Sequence, residues 1–202
     1  MISLGDKAIV NVLNEAISLF RQNISTLVPN IYALETSTNQ EEILTWWSNP
    51  KNQVIAQIGF SRSPVTGLQY AVTTGQESQI ASRRYVGNFI SQTSTQQTYS
   101  TTFETTYIIG VLGPNQNWLL WSQMLCKWAL LYYTKTLETD YGLFNQRVGL
   151  GPLQPYPDSM GDSVFPFYRT VTFTAQHEDT WDALPVQSVS SASVQTNNTT
   201  SS

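Results

Sequence analysis

The chain has 202 residues, 41% of them hydrophobic, which suits one domain large enough for a real core. Charged residues make up only 12%, about half the usual quarter, with Ser, Thr, Gln and Asn in their place, as on proteins that live packed against other proteins. The net charge of -4, with the ten Lys and Arg scattered along the chain, excludes a nucleic-acid binder that relies on a basic patch.

The opening MISLGDKAIV carries an acid where a signal peptide would carry basic residues and an apolar run. A helix is predicted from Asp6 to Leu27, with the Asp6 carboxylate capping its start. Ile9, Val12, Leu13, Ala16, Ile17, Phe20, Ile24 and Leu27 recur at i, i+3, i+4 and i+7, and Pro29 ends the element. Ile31 to Leu34 reads as a short strand. Thr38-x-x-Glu41 matches a capping box for a short helix that runs through Trp46 and Trp47 to a Ser-Asn-Pro stop. Adjacent helical residues point about 100° apart, so at most one of these Trp residues reaches the core. The other is a candidate contact residue or lies over the edge of its own domain.

Val54, Ala56, Ile58 and Phe60 alternate on one face of a strand, and Leu68 to Thr73 forms a second after a Pro64/Gly67 turn. Gly75 to Ile80 is polar and reads as loop. Arg83 to Ser91 is a strand, Gln92 to Thr98 an uncharged polar tip, and Tyr99 to Val111 a strand of thirteen-residue alternation. Tyr99, Thr101, Phe103, Thr105, Tyr107, Ile109 and Val111 share one face. Both strands exceed the common length of about five or six residues. The pattern allows a long hairpin that projects to touch a neighbour through Gln92, Thr93, Thr95, Gln96 and Gln97, or a long solvated meander within the sheet.

Asn117 to Leu137 holds no Gly or Pro and is long enough for about six helical turns, with Asn115 or Asn117 as its cap. Trp118, Leu119, Trp121, Met124, Leu125, Trp128, Ala129, Leu131 and Tyr132 place apolar groups on nearly every side, unlike a surface helix with one apolar stripe. One sheet covers one face, so Trp121, Trp128 and Tyr132 call for the first helix or another subunit to keep them dry. Asn, Ser, Gln and Lys break this helix, and no run reaches the roughly 18 apolar residues of a membrane span, so no membrane partner is expected. Cys126 is the only cysteine, which excludes an intrachain disulfide, and it reads as a small buried apolar group.

Tyr141 to Asp162, rich in Gly and Pro, reads as an irregular interaction loop in which Pro155 and Tyr156 are contact candidates. Val164 to Ala175 resumes strand alternation, with Pro166 marking a strand entrance. One α+β domain, residues 1–184, is expected: an antiparallel sheet with a long projecting β-hairpin, packed on one face by two long helices. Residues 185–202 form an uncharged tail without aromatic residues, which cannot bury enough surface to order itself. An added strand on a neighbour's sheet edge, through residues such as Val186 and Val189, would order it.

The chemistry-bearing motifs are sparse. His177 is the only histidine, beside Glu178 and Asp179, and a metal site would want more ligands at close spacing. A Cys126–His177 nucleophile pair is unfavoured by the apolar setting of Cys126. Gly149-Leu-Gly151 is followed by Pro rather than a helix start, so it is no phosphate loop. Asn23-Ile-Ser25 and Asn198-Thr-Thr200 match the glycosylation triplet, without a signal peptide to support it. No enzyme, cofactor or metal is expected.

The helix ending at Pro29, the Trp118 helix followed by a Gly/Pro loop, and Phe167-Tyr-Arg-Thr-Val-Thr-Phe173 leading to Asp179-Thr-Trp181 together resemble the tail-terminator and neck proteins of tailed bacteriophages, over about residues 5–182. The neutral tail from Pro185 goes beyond that pattern. The resemblance implies a virion protein assembled in the host cytoplasm as a homo-oligomeric, hexameric ring. Such a ring would end the tail tube and join it to the head connector, with the sheath as a further neighbour and DNA passing through the lumen without specific binding. Two other classes fit the residues. One is a different ring-forming virion component: tube, baseplate or head-completion protein. The other is a β-rich module that stacks sugars or peptides on Trp46, Trp47 and Tyr107.

Overall fold

The computed structural model describes residues 4–59, 67–82, 84–90, 95–113, 115–155 and 167–183. They form an α+β fold in which a helical layer covers one face of a mixed sheet. The element order is α1 (Leu4–Gln22), α2 (Ile24–Ile31), α3 (Ser37–Ser48), β1 (Gln53–Ile58), β2 (Gly67–Gln79), β3 (Arg84–Ile90), β4 (Thr95–Leu112), α4 (Gln116–Tyr132), α5 (Thr134–Thr139), β5 (Phe144–Pro155) and β6 (Phe167–Ala183). The sheet runs β1-β2-β4-β6-β5, and β3 pairs with β4.

The expectation of an antiparallel sheet needs one correction, because β1 and β2 run parallel, from Gln53 opposite Gly67 to Ile58 opposite Val72. Gly67 sits at φ 151°, and a Cβ there would lie 2.3 Å from the Gln53 carbonyl oxygen, so glycine is what lets the two strands meet. The remaining pairs are antiparallel. Strands β2 and β3 follow one another along the same edge of β4, the first opposite residues 103–112 and the second opposite residues 95–100. On its other edge β4 pairs with β6 without a break from Gln97–Ala183 to Leu112–Tyr168.

The helix boundaries differ from the pattern, and the helix expected over Asn117 to Leu137 is two elements, α4 ending at Tyr132 and α5 resuming at Thr134. The first helix breaks at Asn23, whose side-chain amide donates to the Leu19 carbonyl at 3.0 Å and so competes with continuation of the helix. The chain then resumes as α2 with Pro29 inside it, so Pro29 does not end the element and Ile31 to Leu34 is not a strand. The cap of α3 is Thr36, which accepts from the Asn39 N–H at 3.3 Å, rather than Thr38. Asp6 lies within the first turn of α1, where the Thr74 hydroxyl donates to it at 2.7 and 2.8 Å and ties the helix to β2.

Strand boundaries differ too, and β4 begins at Thr95, inside the expected polar tip and four residues before Tyr99. Gly75 to Gln79 belongs to β2, where pairing with β4 beyond an irregularity between Thr74 and Glu77 overrides its polar composition. β6 continues to Ala183, eight residues past the expected end at Ala175. Most of the expected loop from Tyr141 is the strand β5, held to β6 despite shifts in register at Phe144/Arg147 and Leu150/Leu153.

The core lies between the helices and one sheet face. Ala8, Ile9, Val12, Leu13, Ala16, Ile17 and Phe20 of α1 meet Leu68, Tyr70 and Val72 of β2, Tyr107, Ile109 and Val111 of β4, and Val171, Phe173 and Ala175 of β6. These positions follow the periods of 3.6 and 2 that the sequence displays. The opposite sheet face carries a small cluster of Ala71, Leu112 and Tyr168, a Thr106–Thr174 hydroxyl contact at 3.1 Å, and the half-exposed Ile108. Near its β3 end the sheet is strapped by Arg84, which bonds Ser100 at 3.1 Å and Glu178 at 2.7 Å. The Ser100 hydroxyl and the Arg84 guanidinium hold the Glu178 carboxyl below its usual range.

A candidate interaction surface on the helical layer

Helix α4 begins at Asn115, whose side chain accepts the Trp118 N–H at 3.0 Å. Its inward residues, among them Trp118, Leu119, Trp121, Leu125, Cys126, Ala129 and Leu130, are buried. Two buried phenols approach from below: Tyr32 donates to the Trp121 carbonyl and Tyr70 to the Ser122 carbonyl, each at 3.0 Å. Burial raises both phenol pKa values, because the interior disfavours the phenolate. Burial likewise pushes the Cys126 thiol up, so it stays protonated and unreactive.

Gln123 is the residue that sequence reading passed over. Its side-chain amide donates to the Gly151 carbonyl at 2.8 Å and the Thr170 carbonyl at 2.7 Å, clamping α4 onto β5 and β6 where their register shifts. A polar side chain among helical apolar neighbours, four residues before Lys127 and three before Cys126, gave no signal of this role.

The outward side of the same helix is also apolar. Leu120, Leu131 and Tyr132 are 37%, 54% and 59% exposed, and the half-buried Trp128 stacks on Tyr132 with ring centroids 5.1 Å apart. Ile31 of α2 and Leu150 of β5, itself 49% exposed, flank this stripe, and with Met124 they enclose an open groove of about 540 Å³. Water-exposed apolar groups in continuous array on a folded surface mark a contact site.

A second groove, of about 630 Å³, runs along α3. Its floor is the half-buried Trp46, packed on Trp118 at 4.7 Å, and its walls include the exposed Glu41 and Glu42. Thr38, Glu41, Glu42, Thr45, Trp46 and Asn49 line it, one face of the helix at i, i+3, i+4, i+7, i+8 and i+11. Trp47 turns the other way, against Phe20 at 4.9 Å and beneath the Arg21 guanidinium.

The expected contact residues therefore divide. Trp46, Trp128 and Tyr132 reach the surface. Trp47 and Trp121, 3% and 2% exposed, are core residues of their own chain and are corrected as such. Tyr107 is buried as well, so Trp46, Trp47 and Tyr107 do not form one open stacking platform. Thr95, Gln96 and Gln97 lie in β4, where they pair with Ile90, Phe89 and Asn88 of β3, and Pro155 is exposed at the end of β5. Gln92, Thr93, Tyr156, Val186, Val189 and the whole tail 185–202 lie outside the described residues.

His177 stacks on Phe103 at 5.8 Å, with its Nε2 3.9 Å from Glu77 and 3.7 Å from Asp179. Among the described residues no group of three or more His, Cys, Asp or Glu could hold a metal ion. Among them, too, no helix is long and apolar enough to cross a membrane. Set against known proteins, the chain matches no protein-family model and no curated sequence. The described surface thus offers two open grooves lined by aromatic side chains, Trp46 in one and Trp128 with Tyr132 in the other.

Proposed function

We propose that the chain is a structural virion protein, a subunit of a homo-oligomeric and hexameric ring at the neck of a tailed phage, where the ring ends the tail tube and joins it to the head connector. The observation that carries the assembly is the outward stripe of Leu120, Met124, Trp128, Leu131 and Tyr132 on a helix whose other side is already the core. A helix apolar all round needs cover on every side, and a second subunit supplies it. The place in the virion rests on the likeness of element order and local pattern to the terminator and neck proteins.

In this reading the two long helices α1 and α4 form the body of the subunit. The end of the sheet where β3, β4 and β6 run together, with Thr95, Gln96 and Gln97, is the part that meets the tube or the next ring. The Arg84–Ser100–Glu178 strap stiffens its base. The mildly acidic composition suits a lumen through which DNA slides without being gripped.

Native mass spectrometry and negative-stain imaging of the purified protein test the reading. A closed ring of six subunits supports it, and a monomer at every concentration overturns it. Trp128→Ser refines the result: the expected product is a folded protomer that no longer assembles.

A further inference from the structure

The two grooves carry opposite charge. On α3, Glu41 and Glu42 stand exposed beside Trp46, and the helix has no Lys or Arg. On α4, Lys127 is the only charged residue; it is exposed and lines the apolar groove with Met124, Trp128 and Leu131. Among the described residues the ion pairs are Arg84–Glu178, Arg147–Glu104 and the two of His177, so Glu41, Glu42 and Lys127 have none. Nor does the chain satisfy its own acidic groove. Arg21 is engaged with Trp47 and the Asn52 carbonyl, Lys51 does not line the groove, and Lys127 lies about 13 Å further along α4 than Trp118.

Resting on the ring reading above, we infer that the α4 face of one copy seats on the α3 face of the next, with the Lys127 stem along the Trp46 indole and its ammonium between Glu41 and Glu42. An ammonium over an indole and beside carboxylates gains both cation–π and ionic attraction, while its methylenes pack on the ring. A two-fold contact of α4 on α4 would bring two Lys127 ammoniums together, and α3 on α3 would gather four carboxylates; both arrangements are repelled. Two different complementary patches allow a heterologous contact, which closes into a ring where the rotation from one copy to the next permits.

Charge reversal tests this. Glu41→Lys with Glu42→Lys, and separately Lys127→Glu, are expected to raise the concentration needed for assembly by about tenfold or more. Combining all three should restore assembly, as read by sedimentation velocity and native mass, with circular dichroism unchanged because all three residues are exposed. If the unmodified protein assembles but the reversals leave its concentration dependence unaltered, or the combined variant is no better than the single reversals, this pairing is wrong while the ring reading stands. If the unmodified protein is monomeric at every concentration, the ring reading fails and takes the pairing with it.

Discussion

Two tryptophans seven residues apart, and so on nearly the same face of α4, do opposite work. Trp121 is 2% exposed, edge-on to Trp118 at 5.0 Å, and its carbonyl accepts the Tyr32 phenol. Two turns along, Trp128 is half-buried and stacks on a Tyr132 that is mostly in water. Composition does not tell the two tryptophans apart; only what lies opposite them does. An aromatic group enclosed by its own chain stabilises the fold, and one facing solvent is available to a partner.

The sharpest way to break this contrast is Trp121→Ser. Removing a fully buried indole should cost about 3–5 kcal/mol, as read by chemical denaturation of the protomer. Gln123→Leu comes next, at about 2 kcal/mol, because it leaves the Gly151 and Thr170 carbonyls without their donor. Hydrogen exchange should then show β5 opening more readily, whereas equal protection with and without the amide would deny the clamp. Asn115→Ala removes the α4 cap for about 1 kcal/mol, visible as a lowered melting temperature. Tyr132→Ser should change protomer stability by no more than about 0.5 kcal/mol yet weaken assembly; a large loss of stability would place Tyr132 with the core instead.

Acidity adds a test with no expected effect near neutrality. The phenols of Tyr32 and Tyr70 have folded pKa values raised above the ordinary 10.0. The folded state therefore holds these protons more tightly than the unfolded one. Their contribution is complete below pH 10.0 and is lost as pH rises through the higher folded values. Alkaline titration followed by circular dichroism should show these phenols ionising only as the fold opens.

Much of the architecture was legible because periodicity reports burial directly. The α1 stripe, the thirteen-residue alternation before α4 and the Asn115 cap all appear where the pattern put them. β5 was not legible. Gly149-Leu-Gly151-Pro152 has neither alternation nor strand propensity, and the segment is extended because β6 and Gln123 bind its backbone. The polar half of β2 was missed for the same reason, and the break at Asn23 because a single side-chain amide outweighed a continuous apolar stripe. Of the candidate site, the aromatic residues were visible in the sequence, but their sorting was not: Trp46 from Trp47, and Trp128 from Trp121.

By itself the sequence determined which segments are amphipathic, that an α+β fold with a real core would form, and that α4 carries more apolar surface than one sheet can cover. These are properties of neighbours along the chain, set by residue spacing. Only the tertiary structure decided that β1 and β2 run parallel, that a Gly/Pro-rich stretch becomes a strand, and that carboxylates and an ammonium with no ion pair among the described residues line two separate aromatic grooves. Those features depend on groups distant in sequence, whose meeting no local pattern encodes.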